Sequence, residues 1–281
     1  PVASPRPVGS AASAAAVVAQ FVPAVGGVNF TVATGVALSK VTNKVAVAQA
    51  KSLDLGLVGL VISAFGIVPG SELPQPLTVD NREGGQAREE TDRPVVGEQL
   101  AAGRKRVSAG VPPKAVAQSD VISSVGDLLS IDGGHAEATS EELAVGTRQA
   151  TASVSVDVDI AGTVALSGLR WVASHRSGTD PHAVGRFEIA RAEIGGIAVP
   201  TESLEELGGR INEALEPSGI AVRLPRVERT AAGSDIVRIT PLEVELRDTP
   251  LGKAALGPVM ELTRPERERL FDEVNSRYGP A

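Results

Sequence analysis

The stretch ATASVSVDVDI, residues 150–160, decides the fold class. Val154, Val156, Val158 and Ile160 fall on one side of an extended chain, and Ser153, Ser155, Asp157 and Asp159 on the other. This is the two-residue period of a strand with one dry face and one wet face. The alternation continues through Val164 and Leu166, then resumes one residue out of phase at Leu169, Trp171 and Ala173. A bulge at Ser167 and Gly168 accounts for the slip, because one extra residue re-aims every side chain after it.

Working outward, further strands are expected in RFEIARAEIGGIAVP (186–200), GIAVRLP (219–225) and IVRITPLEVELRD (236–248). Upstream, residues 28–69 are apolar, rich in Val and Thr, and carry no helical stripe. Two helices stand against this background. The first is expected over 204–215, opened by Ser203 with Glu206 at the capping-box spacing, carrying Leu204, Leu207, Ile211 and Leu215 as one stripe and closed by Pro217 and Gly219. The second is expected over 265–276, with Pro265 in its first turn and Leu270, Phe271 and Val274 along its apolar edge. The fold class is mainly β with two packed helices (α+β), its sheets antiparallel and forming a curved sheet or sandwich. The domain reading is a tail over 1–12, an apolar β-rich segment over 13–71, a charged excursion or linker over 72–113, and a β-rich domain over 114–281. AVAQ occurs at 46–49 and again at 115–118, which in so Ala- and Val-rich a chain is read as coincidence.

Composition bounds the chemistry. The 281 residues carry a net charge of −7, five Phe, one Trp, one Tyr and no Cys. A chain this long buries about 70% of its extended surface, so it folds without cross-links. The acidic balance argues against a nucleic-acid partner, and the scarcity of aromatics removes the platforms on which bases stack. The core is expected to be Val, Ala, Leu and Ile. The uncharged run from Pro7 to Ser39 is broken by Pro23, Gly26 and Gly27, and is read as an extracytoplasmic tail leading into strands. The apolar run LGLVGLVISAFGIVPG (55–70) is too short for a bilayer, so no membrane span is expected.

No motif carries a reaction. His135, His175 and His182 lack metal-ligand spacing, and no nucleophile elbow or phosphate-cradling loop is present, so no cofactor is expected. Asp157 and Asp159, two apart on a strand, are candidate Ca²⁺ ligands, although a solvated face is the reading the residues favour. The glycine pairs 133–134 and 195–196 are read as turns, and Asn29-Phe30-Thr31 as a chance glycosylation sequon. Trp171 is read as a core anchor and, with Leu57, Leu60, Ile62 and Phe65, as a candidate ligand or partner locus.

The segments AVAQAKSLDLGLVGLVIS (46–63), SIDGGHAEATS (130–140), RQATASVSVDVDI (148–160), ALSGLRWVASH (165–175), IAVPTESLEELGGRINEALEPSGIAVRLP (197–225) and ITPLEVELRDTPLG (239–252) together resemble actinobacterial secreted surface proteins of the choice-of-anchor P type. That resemblance implies export to the outside or surface of a bacterium and no assigned reaction. The leading expectation is a non-catalytic structural protein of the envelope, binding itself or another envelope protein. The alternative is a carrier of an apolar ligand or lipid in a cavity between sheet and helices, its motive being the apolar run at 55–68. A hydrolase without a recognisable motif stands third, with Asp157, His175 and His182 as the residues to test.

Overall fold

The computed structural model describes residues 11–25, 28–29, 32–55, 74–92, 102–125, 129–178, 180–229 and 236–246. Chain order begins with β1 (Ala11–Val25), β2 (Val28–Asn29), β3 (Val32–Thr42), β4 (Val45–Asp54), β5 (Leu77–Asp80) and β6 (Gln86–Asp92). The long strands follow: β7 (Ala102–Gly110), β8 (Lys114–Val125), β9 (Leu129–Ala144), β10 (Thr147–Ile160) and β11 (Val164–Ser177). Next come β12 (His182–Glu188), β13 (Arg191–Ile194), β14 (Ile197–Val199) and helix α1 (Leu204–Leu215). The last described strands are β15 (Ile220–Arg223), β16 (Val227–Arg229), β17 (Val237–Ile239) and β18 (Glu243–Leu246).

Two open sheets hold nearly all of these strands. One runs β15-β18-β1-β3-β4-β5, with β2 paired to β1; the other runs β14-β13-β11-β10-β9-β8-β7-β6, with β12 also on β11. The second is antiparallel throughout, and the first contains one parallel pair, β1 with β18. The sheets face one another: β1 lies over β9 and β10, β3 over β8 and β9, and β4 over β7 and β8. This is a sandwich, so the mainly β, antiparallel expectation holds.

The interior has two parts. Under β3 and β4 it is built from small side chains, among them Ala37, Ala46, Ala48, Ala115, Ala117, Ala136 and Ala138, all fully buried. The two AVAQ segments belong here, placing alternate alanines into the same interior from opposite sheets. Beneath α1 the core turns bulky, with Ile160, Val164, Leu166 and Leu169 meeting Leu207, Ile211 and Leu215. Helix α1 begins and ends where the capping signals put it: Ser203 Oγ accepts from the Glu206 N–H at 3.3 Å, and after one 3₁₀ turn Gly219 closes it at φ +67°. Asn212 then completes the β15 edge, its side chain exchanging two hydrogen bonds with the Val222 backbone at 2.9 and 2.8 Å.

The bulge in β11 is present: Val156 pairs with Leu169 but Val158 with Leu166, leaving Ser167 and Gly168 opposite Asp157. Gly168 takes φ +62°, a conformation that favours glycine. Gly195 and Gly196 form the β13–β14 turn, as expected. Gly133 and Gly134 do not form a turn; they lie within β9, where its pairing with β8 and β10 goes out of register.

Two differences stand out. Residues 77–110, read as part of an excursion or linker, supply β5, β6 and β7. The charge that suggested a linker lies on an edge strand, where nearly every residue of β6 before Asp92 faces water. The structure has one described α-helix where two were expected; the segment 265–276 lies outside the described residues. Among the described residues no helix is long and apolar enough to cross a membrane.

Candidate functional site

The phase of β10 and the bulge in β11 together set one row of side chains facing β1. On β10 these are Arg148, Ala150, Ala152 and Val154; their partners on β11 are Ser177, His175, Ala173 and Trp171. Without the bulge, Trp171 and His175 would point to the other face. Ala12, Ala14 and Ala16 of β1 line the opposite wall, and Ile239 of β17 lines the side. Because most of these residues are alanines, the strands leave a groove between them; it opens into a larger concavity of about 880 Å³ that also runs over the outer face of β1, β3 and β4, past Ser13, Lys40 and Gln49.

The groove is graded along its length. Val154 and Trp171 make one end apolar, and the alanines continue it. Ala150 with His175, then Arg148 with Ser177, make the other end polar. Trp171 is fixed by an edge-to-face contact with Phe187, ring centroids 5.9 Å apart, and its body is buried. Arg148 is held at the polar end by a hydrogen bond from Nη2 to the Asn43 carbonyl at 3.4 Å. The guanidinium brings a planar fork of N–H donors to this end.

The other candidates do not join this site. Asp157 and Asp159 each accept from a backbone N–H, Asp157 from Gly168 at 2.6 Å and Asp159 from Gly162 at 2.9 Å, which gives both a local role at the bulge and the following turn. Among the described residues no group of three potential ligands could hold a metal ion. His182 pairs with Arg176 and lies on the opposite face from His175, while Asp157 is about 23 Å along the strand from the Ala150–His175 pair. These three side chains therefore do not converge. Leu57, Leu60, Ile62 and Phe65 lie outside the described residues.

Two polar clusters went unread in the sequence. On the outer face of the larger sheet, Asp120 and His135 are cross-strand partners with Oδ1 and Nδ1 2.6 Å apart, joined by Arg106 and Glu89 in a row of charges. Between the sheets, the Lys105 side chain is fully buried against Asp92, with Nζ–Oδ1 2.8 Å. A second oxygen of Asp92 accepts from the Ser52 hydroxyl of the facing sheet. The signal for Lys105 is its phase, since Lys105, Val107 and Ala109 share one face; the basic run Arg104-Lys105-Arg106 masks it as a solvated patch.

Compared with protein-family models, with curated proteins and with solved structures, the chain matches none of them.

Proposed function

We propose that this protein is a non-catalytic binding protein of the bacterial exterior that holds an elongated apolar molecule with an acidic head. The apolar part would lie against Trp171, Ala152 and Ala173, and the head would meet Arg148. The observation that carries this reading is the graded groove between β1 and the β10–β11 pair. Export and an envelope setting are part of the proposal, motivated by the uncharged N-terminal run and the resemblance described above.

Trp171 is the chain's single tryptophan, so its fluorescence reports the groove without labelling. Titrating extracted protein with a long-chain fatty acid should shift that emission saturably. Ala152→Leu, which narrows the groove, should weaken binding. An unchanged emission up to the solubility limit, with no apolar molecule released from freshly purified protein, refutes the proposal.

A second reading, self-association, is favoured by the tips of two neighbouring hairpins. Val111, Leu143 and Val145 are exposed there, Val145 completely. The tips are tied together by Glu142 N–H to the Pro113 carbonyl at 3.1 Å and by Lys114 with Glu141 at 3.0 Å. Exposed apolar side chains gathered at one end are a feature of docking surfaces. Sedimentation should show a concentration-dependent oligomer that the triple serine variant loses; a monomer at all concentrations sinks this reading.

A further inference from the structure

We propose that Lys105 and Asp92 become joined by an isopeptide bond, a covalent staple between β6 and β7. This inference is independent of the groove. It starts from a costly arrangement, a lysine with no exposed side-chain surface set against a carboxylate whose side chain is 6% exposed. Removing two charges from water is expensive, and an amide in their place leaves no charge to bury. Condensation needs the amine as its free base and the carboxyl as its acid, and one proton passed along the 2.8 Å contact from Nζ to Asp92 supplies both forms.

The surrounding groups suit the condensation that follows. The amine lone pair attacks Asp92 Cγ, forming the N–C bond. Ser52 Oγ, which hydrogen-bonds the carboxyl oxygen Oδ2, stabilises the negative charge gathering there, as a positioned donor does in acyl transfer. The Gln75 carbonyl accepts from Nζ at 2.6 Å and holds the amine in place. Glu90 Oε2, 3.7 Å from Nζ, takes the proton released by the attacking nitrogen and returns it to the departing oxygen. Cγ–O cleavage then expels one water. The balance is one amine and one carboxylic acid to one amide and one water, with no oxidant, reductant or cofactor.

Placement gives the bond a purpose. Lys105 pairs directly with Glu90, and Asp92 with Gly103, so the link runs diagonally across the hairpin, a span within reach of a lysine chain. Among the described residues β6 pairs only with β7, and the link would fasten it at its last residue. A chain without cysteine cannot make this fastening as a disulfide.

Intact-mass spectrometry of the purified full chain tests the proposal. The expected mass is lower than that of the sequence by one water, and proteolysis should yield a branched peptide joining Lys105 to Asp92, with no tryptic cut after Lys105. Lys105→Arg should restore the full mass, Glu90→Gln should leave most of the chain unlinked, and Asp92→Asn should form the same bond with loss of ammonia. Wild-type protein at its full sequence mass overturns the proposal whether or not any variant folds. So does a water deficit without the branched peptide, which is the mark of a succinimide.

Discussion

Replacing Gly103 and Gly209 by alanine should change stability in opposite directions. Gly103 lies in β7 opposite Val121 of β8, and a Cβ built there falls 2.2 Å from the Asp120 carbonyl oxygen, 3.3 Å from its carbon and 3.4 Å from Val121 Cα. All three neighbours are backbone, so no side chain can rotate away. The strands must part by about 0.8 Å merely to reach 3.0 Å, the lower limit of such contacts. Overpacking typically costs about 1–3 kcal/mol, and one weakened ladder hydrogen bond adds about 1 kcal/mol, so Gly103→Ala should destabilise by about 3 kcal/mol. Gly209 sits in the exposed interior of α1 with nothing within 4 Å of its would-be Cβ. There the substitution only removes freedom from the unfolded chain and should stabilise by about 0.5–1 kcal/mol. Urea unfolding of both variants, compared at equal m-values, reads the difference. If Gly103→Ala unfolds within about 0.5 kcal/mol of the parent, the close approach of β7 and β8 is wrong, and with it the register that buries Lys105.

Three further outcomes follow from the packing. Asn212→Leu strands the N–H and carbonyl of Val222, which the Asn212 side chain satisfies, and should cost about 2–4 kcal/mol by equilibrium unfolding; a neutral result would mean that water replaces the side chain. Ile160→Ala empties a fully buried site in the bulky part of the core and should cost about 2–5 kcal/mol, measured the same way. Arg223 is the contrasting case. Its pKa is raised, first by its hydrogen bond to Glu243 and then by the charge of Glu245, yet its side chain is largely exposed. A base whose folded pKa lies above its unfolded one contributes at every pH below the unfolded value and loses that contribution only at higher pH. Arg223→Ala should therefore lower stability by a flat amount under about 1 kcal/mol across pH 5–9, and less in high salt. A pronounced pH slope in the difference would contradict this.

Much of the local structure was legible in the chain itself. The alternation from Val154 to Ile160, the phase slip at Ser167 and Gly168, and the Ser203–Leu215 helix with its cap and glycine end are consequences of side-chain period and backbone dihedrals, which neighbouring residues determine. The expectation of a core built mainly of Val, Ala, Leu and Ile, with Trp171 as a buried anchor, also held, down to the alanine layer between the sheets. Reading β6 and β7 as a linker failed for a physical reason: an edge strand exposed on both faces up to Asp92, beside a strand whose inward lysine is paired with that aspartate, has the same charge content as a loop.

What only the tertiary structure decided is which faces meet. Ser52, Asp92 and Lys105 come from separate strands of two sheets, and nothing local to any of them indicates the others. The groove likewise exists because β1 lies over β10, an arrangement made between strands far apart in the chain, and because the residues brought together there are mostly too small to fill the space. Periodicity tells a strand which side is dry; the partner that keeps it dry is chosen by long-range packing, and the candidate chemistry of this protein lies at those long-range meetings.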